Sequence, residues 1–210
     1  MKLILYGATG MIGEGALIEC LEDPDVDAVL AAATLRVEAA GLVVAEARQV
    51  RATGSPWAEE AEAAAFFAWL GENGVAPQYI LYSAEDVTRF DDLCARGVIP
   101  EGQSSVLYVL GRYSADGQSR PDDLLPLLAA ATRPVTWSVC AFGALEAACM
   151  LSAAGLGGHC RVGFENNMDL ADGSRAPDNA ALVRQVADHC ALMGRQPADA
   201  TAARRLMGVA

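Results

Sequence analysis

Lysine and histidine are scarce in this chain of 210 residues: Lys2 is the single lysine, and His159 and His189 are the two histidines. Arginine supplies 14 of the 15 basic residues, against 27 acidic residues, so the formal net charge is −12. Binding to nucleic acid needs a basic face, and a chain of this charge repels polyanions on average. We therefore expect no nucleic-acid partner.

The chain also lacks closely spaced cysteines and a clean apolar span. No two of its six cysteines have the C-x-x-C spacing of a metal ribbon or a redox motif. The longest weakly apolar run, residues 139–158, is interrupted by Glu146 and is rich in alanine and glycine, which predicts a buried helix rather than a membrane span. No signal-peptide pattern follows Met1, so we expect a cytoplasmic protein with no membrane partner.

Apolar runs alternate with helical patterns, which favours βα units, a parallel sheet and the α/β class. The starts of the last four predicted strands are 26, 29 and 25 residues apart, a spacing typical of a barrel or an open sheet. The predicted strands are Lys2–Tyr6, Ala28–Ala33, Leu42–Ala45, Tyr79–Tyr82, Ser105–Leu110, Pro134–Val139 and His159–Phe164. The predicted helices are Glu14–Leu21, Trp57–Glu72, Glu85–Arg96, Pro121–Ala131, Ala144–Ala154, Asp178–Met193 and Asp199–Met207.

A glycine loop follows the first predicted strand. Gly7, Gly10 and Gly13 would let the backbone approach a pyrophosphate at the positive end of the next helix. Residues 1–33 resemble the start of the extended short-chain dehydrogenase/reductase and NmrA-like families, which implies a Rossmann-like βαβ unit and NAD(P). Those reductases use a tyrosine and a lysine four residues apart, and the single lysine excludes that pair. Dinucleotide binding without reductase chemistry and a purely structural turn both remain open.

The last predicted strand carries charged residues at alternate positions. His159, Arg161, Gly163 and Glu165 would share one face of the strand, and such a face packs poorly unless it meets something polar. In a barrel that face is the interior, and Glu165 would lie at the carboxyl-terminal rim where barrel chemistry occurs. The pattern leaves open a ligand site and an Arg161–Glu165 ion pair that satisfies itself.

These charged residues lie in a segment that resembles a known family. Residues 157–167 and 176–180 are similar to the final-strand signature of the beta-keto acid cleavage enzymes, which include 3-keto-5-aminohexanoate cleavage enzymes. Further similarity lies in residues 76–83, 109–113 and 137–143, so that the resemblance covers about residues 57–208. It implies a partial or shortened TIM-type (β/α) barrel in residues 55–210, behind a Rossmann-like segment in residues 1–54.

The family resemblance implies an acyl transferase that converts a beta-keto acid and acetyl-CoA into acetoacetate and a new CoA ester. It implies that Glu165 is a ligand of a divalent metal, normally zinc, and that Arg161 lies beside the substrate and the developing enolate. Asn166 occupies the position of the family's general-base aspartate. Arg112 follows Gly111 at a strand end, where it could bind a CoA phosphate or a carboxylate.

Three features depart from the family pattern. The family's metal-binding His-x-His is missing, because His159 and His189 are 30 residues apart, and Asn166 has no basic oxygen. Only 78 residues precede Tyr79, fewer than the roughly 100 that four βα units need. An impaired enzyme, a dinucleotide-binding module and a degenerate fusion product therefore all stay open. Since a half-barrel leaves unpaired strand edges, we expect a homo-oligomer.

Overall fold

The computed structural model describes residues 2–6, 28–32, 56–102 and 105–207, and for residues 2–6, 28–32, 56–59 and 62 it describes the backbone alone. The chain divides into two compact units, Met1–Phe66 and Phe67–Ala210. The predicted boundary between residues 54 and 55 remains a prediction. In the described part of the chain, no helix combines the length and the apolar character that crossing a membrane requires.

The first unit contains a pair of parallel strands. Strand β1 (Lys2–Tyr6) runs beside β2 (Ala28–Ala32), with Lys2 opposite Ala28. Both strands match their predicted bounds to within one residue, and parallel pairing is what a βαβ unit requires. The predicted helix Glu14–Leu21, the predicted strand Leu42–Ala45 and the loop Gly7–Gly13 lie outside the described residues.

The second unit is built around a parallel sheet of four strands in chain order, which confirms the predicted α/β class with parallel strands. Successive βα units of a barrel produce this order. Its strands are β3 (Gln78–Leu81), β4 (Ser105–Leu110), β5 (Thr136–Ala141) and β6 (His159–Cys160). The described helices are α1 (Pro56–Glu72), α2 (Ala84–Ala95), α3 (Leu124–Ala130, after a 3₁₀ turn at Pro121–Asp123), α4 (Glu146–Gly155), α5 (Asn179–Ala191) and α6 (Ala200–Met207).

Helix α2 begins with a variant of the capping box. The Ser83 hydroxyl accepts a hydrogen bond from the Asp86 backbone N–H at 3.2 Å, which satisfies a donor of the first turn. The Asp86 carboxylate accepts in return from the backbone N–H of Tyr82 at 3.0 Å, one residue earlier than in a standard box. The cap therefore ties the end of β3 to the start of the helix.

The two faces of the sheet pack differently. On β4, Val106, Tyr108 and Leu110 belong to the main core, which also contains residues of the covering helices α2–α5. Leu107 and Val109 face the other way and pack with Cys140 of β5 in a smaller cluster. We call the face that carries this smaller cluster the inner face. All six residues of β4 are buried, as in a central parallel strand that is covered on both sides.

The prediction of a strand over His159–Phe164 is wrong beyond Cys160. The Arg161 N–H still donates to the Val139 carbonyl at 2.9 Å, but the chain then turns, and the Asn166 N–H donates to the Gly163 carbonyl at 2.9 Å. Side chains replace the ladder partners here, since the Phe164 N–H donates to Asn179 Oδ1 at 2.9 Å. Strand alternation therefore does not govern the direction of the side chains of residues 163–165.

Candidate active site

The candidate site lies at the edge of the second unit's sheet where β4, β5 and β6 end. Backbone hydrogen bonds join the three segments that follow these strands. The Phe142 N–H donates to Leu110 at 3.0 Å, the Ser119 N–H to Phe142 at 2.9 Å and the Gly143 N–H to Asn166 at 3.1 Å, in each case to the carbonyl oxygen. The carboxyl ends of parallel strands are where barrel enzymes place their chemistry.

Arg161 and Glu165 form an ion pair at this edge, between Nη2 of the guanidinium and Oε2 of the carboxylate. The two side chains project together, although a turn rather than strand alternation brings them together. Their side chains are 44% and 65% exposed, so the described residues leave the pair accessible to a ligand and do not enclose it. The sequence left open a ligand site and an ion pair in which the two residues satisfy each other. In this conformation the two residues satisfy each other.

The thiol of Cys140 lies near this pair on the inner face. Burial raises the pKa of Cys140 to about 11, and the negative charges of Glu165 and Glu146 act in the same direction while the Arg161 guanidinium opposes them. A thiol with such a raised pKa is protonated at neutral pH and is a poor nucleophile. Cys140 is thus a buried member of the smaller cluster with Leu107 and Val109 and supplies no covalent chemistry.

Asn166 is buried next to Glu165 and is held through its backbone. Its N–H donates to Gly163 and its carbonyl accepts from Gly143, which ties the turn after β6 to the end of β5. Asn166 follows Glu165 in this turn and carries an amide where the resemblance implies an aspartate. An amide can orient a substrate by hydrogen bonding but cannot take up a proton as an aspartate can.

Glu146 is a residue of this region that sequence analysis did not select. It is 1% exposed in the first turn of α4, where the positive end of the helix favours a negative charge. Its Oε2 accepts from the Asn167 side-chain amide at 3.1 Å, and its Oε1 accepts from the Gly163 N–H at 3.4 Å. Burial raises the pKa of Glu146, and the two hydrogen bonds lower it. The available signal was a single charge inside the apolar run 139–158.

Arg112 lies over the ring of Phe142, with its guanidinium carbon 5.3 Å from the ring centroid. The preceding Gly111 has φ +77°, and a Cβ built on it would lie 2.6 Å from the Ser119 nitrogen. A side chain at position 111 is therefore excluded by both conformation and space. This glycine lets the chain turn at the end of β4, and it presents Arg112 at the exposed rim of the site, as a residue that could meet an anion.

The described residues do not assemble a zinc site. Glu165 is the predicted ligand, but no group of three His, Cys, Asp or Glu side chains in the part of the chain that the structure describes could hold a metal. His189 is exposed on α5 with its ring nitrogen 2.6 Å from the Gln185 carbonyl oxygen, and His159 lies at the start of β6. A catalytic zinc site takes three protein ligands, so Glu165 alone does not fit one.

Gly7, Gly10 and Gly13, the predicted cofactor-binding glycines, lie outside the described residues, so a dinucleotide at that loop stays a prediction. Asp169, three residues after Asn166, has its carboxylate 3.5 Å from the guanidinium of Arg175.

Comparisons with known proteins agree on one family. Residues 8–209 match the family described as beta-keto acid cleavage enzyme, a match that begins further toward the N-terminus than the resemblance over residues 57–208. A 3-keto-5-aminohexanoate cleavage enzyme of Acetoanaerobium sticklandii is 30% identical over 146 residues, which are 69% of this chain and 52% of that relative. A 3-oxoadipate:acetyl-CoA acetyltransferase of Cupriavidus necator is 52% identical over 54 residues, which are 26% of this chain and 19% of that relative. The matched region thus spans about half of the first relative and less of the second.

Proposed function

Because the chain belongs to the beta-keto acid cleavage enzyme family, we propose that it cleaves a carbon–carbon bond of a beta-keto acid and exchanges acyl groups with acetyl-CoA. The products are acetoacetate and a new CoA ester. The observation that carries this proposal is the exposed Arg161–Glu165 ion pair at the carboxyl edge of the sheet, with Asn166 beside it.

Arg161 supplies the recognition of the substrate. A beta-keto acid carries a carboxylate and a polarisable keto oxygen, and a guanidinium can hold a carboxylate through two parallel hydrogen bonds. The ion pair with Glu165 is solvent-exposed, so its net stabilisation is small, about 0.2–1 kcal/mol. A substrate carboxylate can therefore replace Glu165 on the guanidinium at little cost. The same cation would stabilise the negative charge of an enolate that forms beside it.

Proton removal is the step in which this chain departs from its family. Asn166 cannot accept the proton. Glu165 is an exposed carboxylate of the same turn, and once a substrate releases it from Arg161 it can accept a proton. We infer a slow enzyme, because position 166 carries an amide and a well-placed general base typically contributes about 10²–10⁴ in rate. A divalent metal at Glu165 would need further ligands from outside the described residues, and no step here depends on it.

Arg112 is proposed to bind acetyl-CoA. CoA carries phosphate groups, and an exposed guanidinium that rests on an aromatic ring is preorganised to meet a phosphate. The Phe142 ring under Arg112 immediately follows β5, and Arg161 pairs through its backbone with that same strand. The two arginines therefore flank the end of β5, with Arg161 placed for the keto acid and Arg112 for the acyl donor.

We also propose a homo-oligomer in the cytoplasm. In the described sheet β3 is an edge strand with unpaired backbone groups, and Ile80, opposite Leu107 of the inner face, is half-exposed, so that a second chain could cover both. The five described cysteines are free thiols, as expected in a reducing compartment. Light scattering on the purified protein tests the oligomer, and a mass equal to one chain at micromolar concentration contradicts it.

The experiment that tests the activity incubates the purified chain with acetyl-CoA and a panel of beta-keto acids. The panel includes 3-oxoadipate and 3-keto-5-aminohexanoate, the substrates in the relatives' names. Mass spectrometry should detect acetoacetate and the matching CoA ester only when both substrates are present. Parallel reactions with a chelator and with added zinc or manganese ions show whether a metal is required. No product in any reaction, together with no binding of keto acid or acetyl-CoA, contradicts the proposal.

A titration with dinucleotides separates the proposed enzyme from the dinucleotide-binding module and the degenerate fusion product. Saturable binding of NADH or NADPH, followed by cofactor fluorescence, without any acyl exchange would favour the dinucleotide-binding module. Absence of exchange and of dinucleotide binding would favour the degenerate fusion product. Acyl exchange without dinucleotide binding is the result that the proposed function requires.

A further inference from the structure

Glu146 contacts the turn that carries the ion pair at two points, one on either side of Glu165. Oε1 of its carboxylate accepts from the Gly163 N–H, and Oε2 accepts from the side-chain amide of Asn167. These two contacts lie two residues before and two residues after Glu165. One carboxylate from α4 thus holds both ends of the segment whose middle residue is the acid of the proposed site.

The side chain of Asn167, which donates to Glu146, is itself held by further hydrogen bonds. Asn167 Nδ2 also donates to the Asp169 carbonyl at 2.6 Å, and Asn167 Oδ1 accepts from the Asp169 N–H at 3.0 Å. The amide of Asn167 therefore has little freedom to rotate away from Glu146. Every polar group of this small network is paired, and such networks hold one arrangement because a half-satisfied alternative leaves a buried group without a partner.

The position of Glu146 suits it to set direction rather than to react. Its carboxylate is buried beneath the turn, whereas Arg161 and Glu165 are exposed above it. Helix α4 packs in the main core through Cys149, Met150 and Ala153, so Glu146 stands on a rigid element. A side chain that joins a rigid helix to a turn transmits the geometry of the core to the residues that the turn carries.

We propose that Glu146 is a positioning residue, whose carboxylate fixes the turn Gly163–Asn167 and thereby aims Arg161 and Glu165 at a shared ligand. This inference rests on the proposed function for the identity of the ligand, but the geometry that it asserts exists without turnover. Loss of the contact would leave the fold in place and widen the range of orientations of the ion pair. A displacement of about 1 Å can cost about a hundredfold in rate.

The test compares Glu146→Gln with Asp91→Asn in the full chain. Glu146→Gln keeps the size of the side chain but presents an N–H₂ group to one of the two donors. Asp91 is the matched control, since its carboxylate on α2 accepts from the Thr132 N–H at 2.8 Å and from the Thr132 hydroxyl at 2.5 Å. Asp91 thus also joins a helix to a loop, but this loop precedes β5 and lies at the opposite edge of the sheet.

Three experiments are done on folded protein: steady-state kinetics that give kcat and KM for the keto acid, NMR of the Arg161 Nε–H group, and hydrogen exchange of the amides of residues 163–167. We expect both variants to lower Tm. Glu146→Gln alone should reduce kcat/KM by roughly ten- to a hundredfold, shift the Arg161 signal and accelerate exchange in the turn. Equal losses in both variants, or a Glu146→Gln protein with an unchanged Arg161 signal and unchanged exchange, would overturn the positioning role.

The experiment still tests the positioning role if the chain has no turnover or if Glu146→Gln does not fold. If the unmodified chain has no turnover, the proposed function falls, and the Arg161 signal and the exchange rates alone decide the positioning role. If Glu146→Gln does not fold, Asn167→Ala replaces it, because it removes the other partner of the same contact and leaves the carboxylate in place. The same results then support or overturn the inference.

Discussion

Arg161 and Glu165 meet across a turn, four residues apart, just after the last strand of the sheet. Their exposure indicates that the pair adds little to stability, because exposed ion pairs contribute about 0.2–1 kcal/mol. The proposed function assigns this pair to recognition of a ligand at the carboxyl edge of the sheet. The effects of replacing Arg161 or Glu165 can be separated experimentally from the effects of replacing the buried groups beneath the pair.

Replacing the guanidinium should harm activity far more than stability. We expect Arg161→Lys to lower kcat/KM about a hundredfold, since lysine cannot form the two parallel hydrogen bonds to a carboxylate. The free energy of unfolding in urea should change by less than about 1 kcal/mol. Arg184→Lys is the control, because Arg184 is an exposed arginine of α5 that pairs with Asp178 at 3.8 Å. This substitution should leave kcat/KM and the free energy of unfolding unchanged. A similar loss of activity in the two variants would contradict the role of Arg161.

Asn166→Asp should increase the rate. An aspartate at this position supplies the proton acceptor that the amide lacks, and general bases contribute about 10²–10⁴ in rate. We expect kcat to rise by at least about tenfold in the acyl-exchange assay. The control is Asn167→Asp, which places a second carboxylate against Glu146 and should lower stability without raising kcat. An unchanged kcat in Asn166→Asp would show that residue 166 does not reach the substrate.

The stability of the chain should depend on pH through Glu146. Burial raises the pKa of this carboxyl in the folded state above its ordinary value of 4.5, so the folded state binds the proton more tightly than the unfolded state does. The resulting stabilisation is fully present below pH 4.5 and is lost as the pH rises through the folded-state pKa. We expect the free energy of unfolding of the unmodified chain to fall over this range relative to that of Glu146→Gln. A pH-independent difference between the two proteins would contradict the assignment.

Arg112→Ala should weaken the binding of acetyl-CoA. A charge-assisted hydrogen bond to a phosphate contributes about 1.5–3 kcal/mol, so KM for acetyl-CoA should rise about tenfold or more. KM for the keto acid should stay constant, because Arg161 is assigned to that substrate. Arg120→Ala, at another exposed arginine of the same loop, serves as the control. A parallel rise of both KM values would argue against separate roles for the two arginines.

The substitution Gly158→Ala tests the packing of the segment before β6 against Trp137 of β5. A Cβ at this position would lie 2.1 Å from the Trp137 ring, so Gly158→Ala must displace a partly buried tryptophan of β5. We expect a loss of about 1–3 kcal/mol in the free energy of unfolding. Gly155→Ala is the matched control, since its Cβ would meet Met193 at an ordinary 3.8 Å and alanine favours the helix end. Equal stabilities of the two variants in urea unfolding would contradict this account.

Local patterns predicted most of the described elements. The alternation of apolar runs and helical segments predicted the α/β class, and β4 has its predicted bounds of Ser105–Leu110. Helix α2 begins at Ala84, one residue before its predicted start, because capping by Ser83 depends on residues that are neighbours in the chain. The family likeness of the last strand was likewise readable, since it depends on a contiguous segment around Arg161 and Glu165.

The sequence by itself determined the class of fold and the family, and it placed Arg161 and Glu165 together in the segment around the last strand. Only the tertiary structure decided that β6 ends at Cys160 and that Glu146 holds the turn beyond it. Helix and strand periods depend on residues a few positions apart, so they are visible in one dimension. The partners of Glu146 lie 17 and 21 positions away in the chain. The residues next to Glu146 in the sequence therefore do not indicate which groups it contacts after folding.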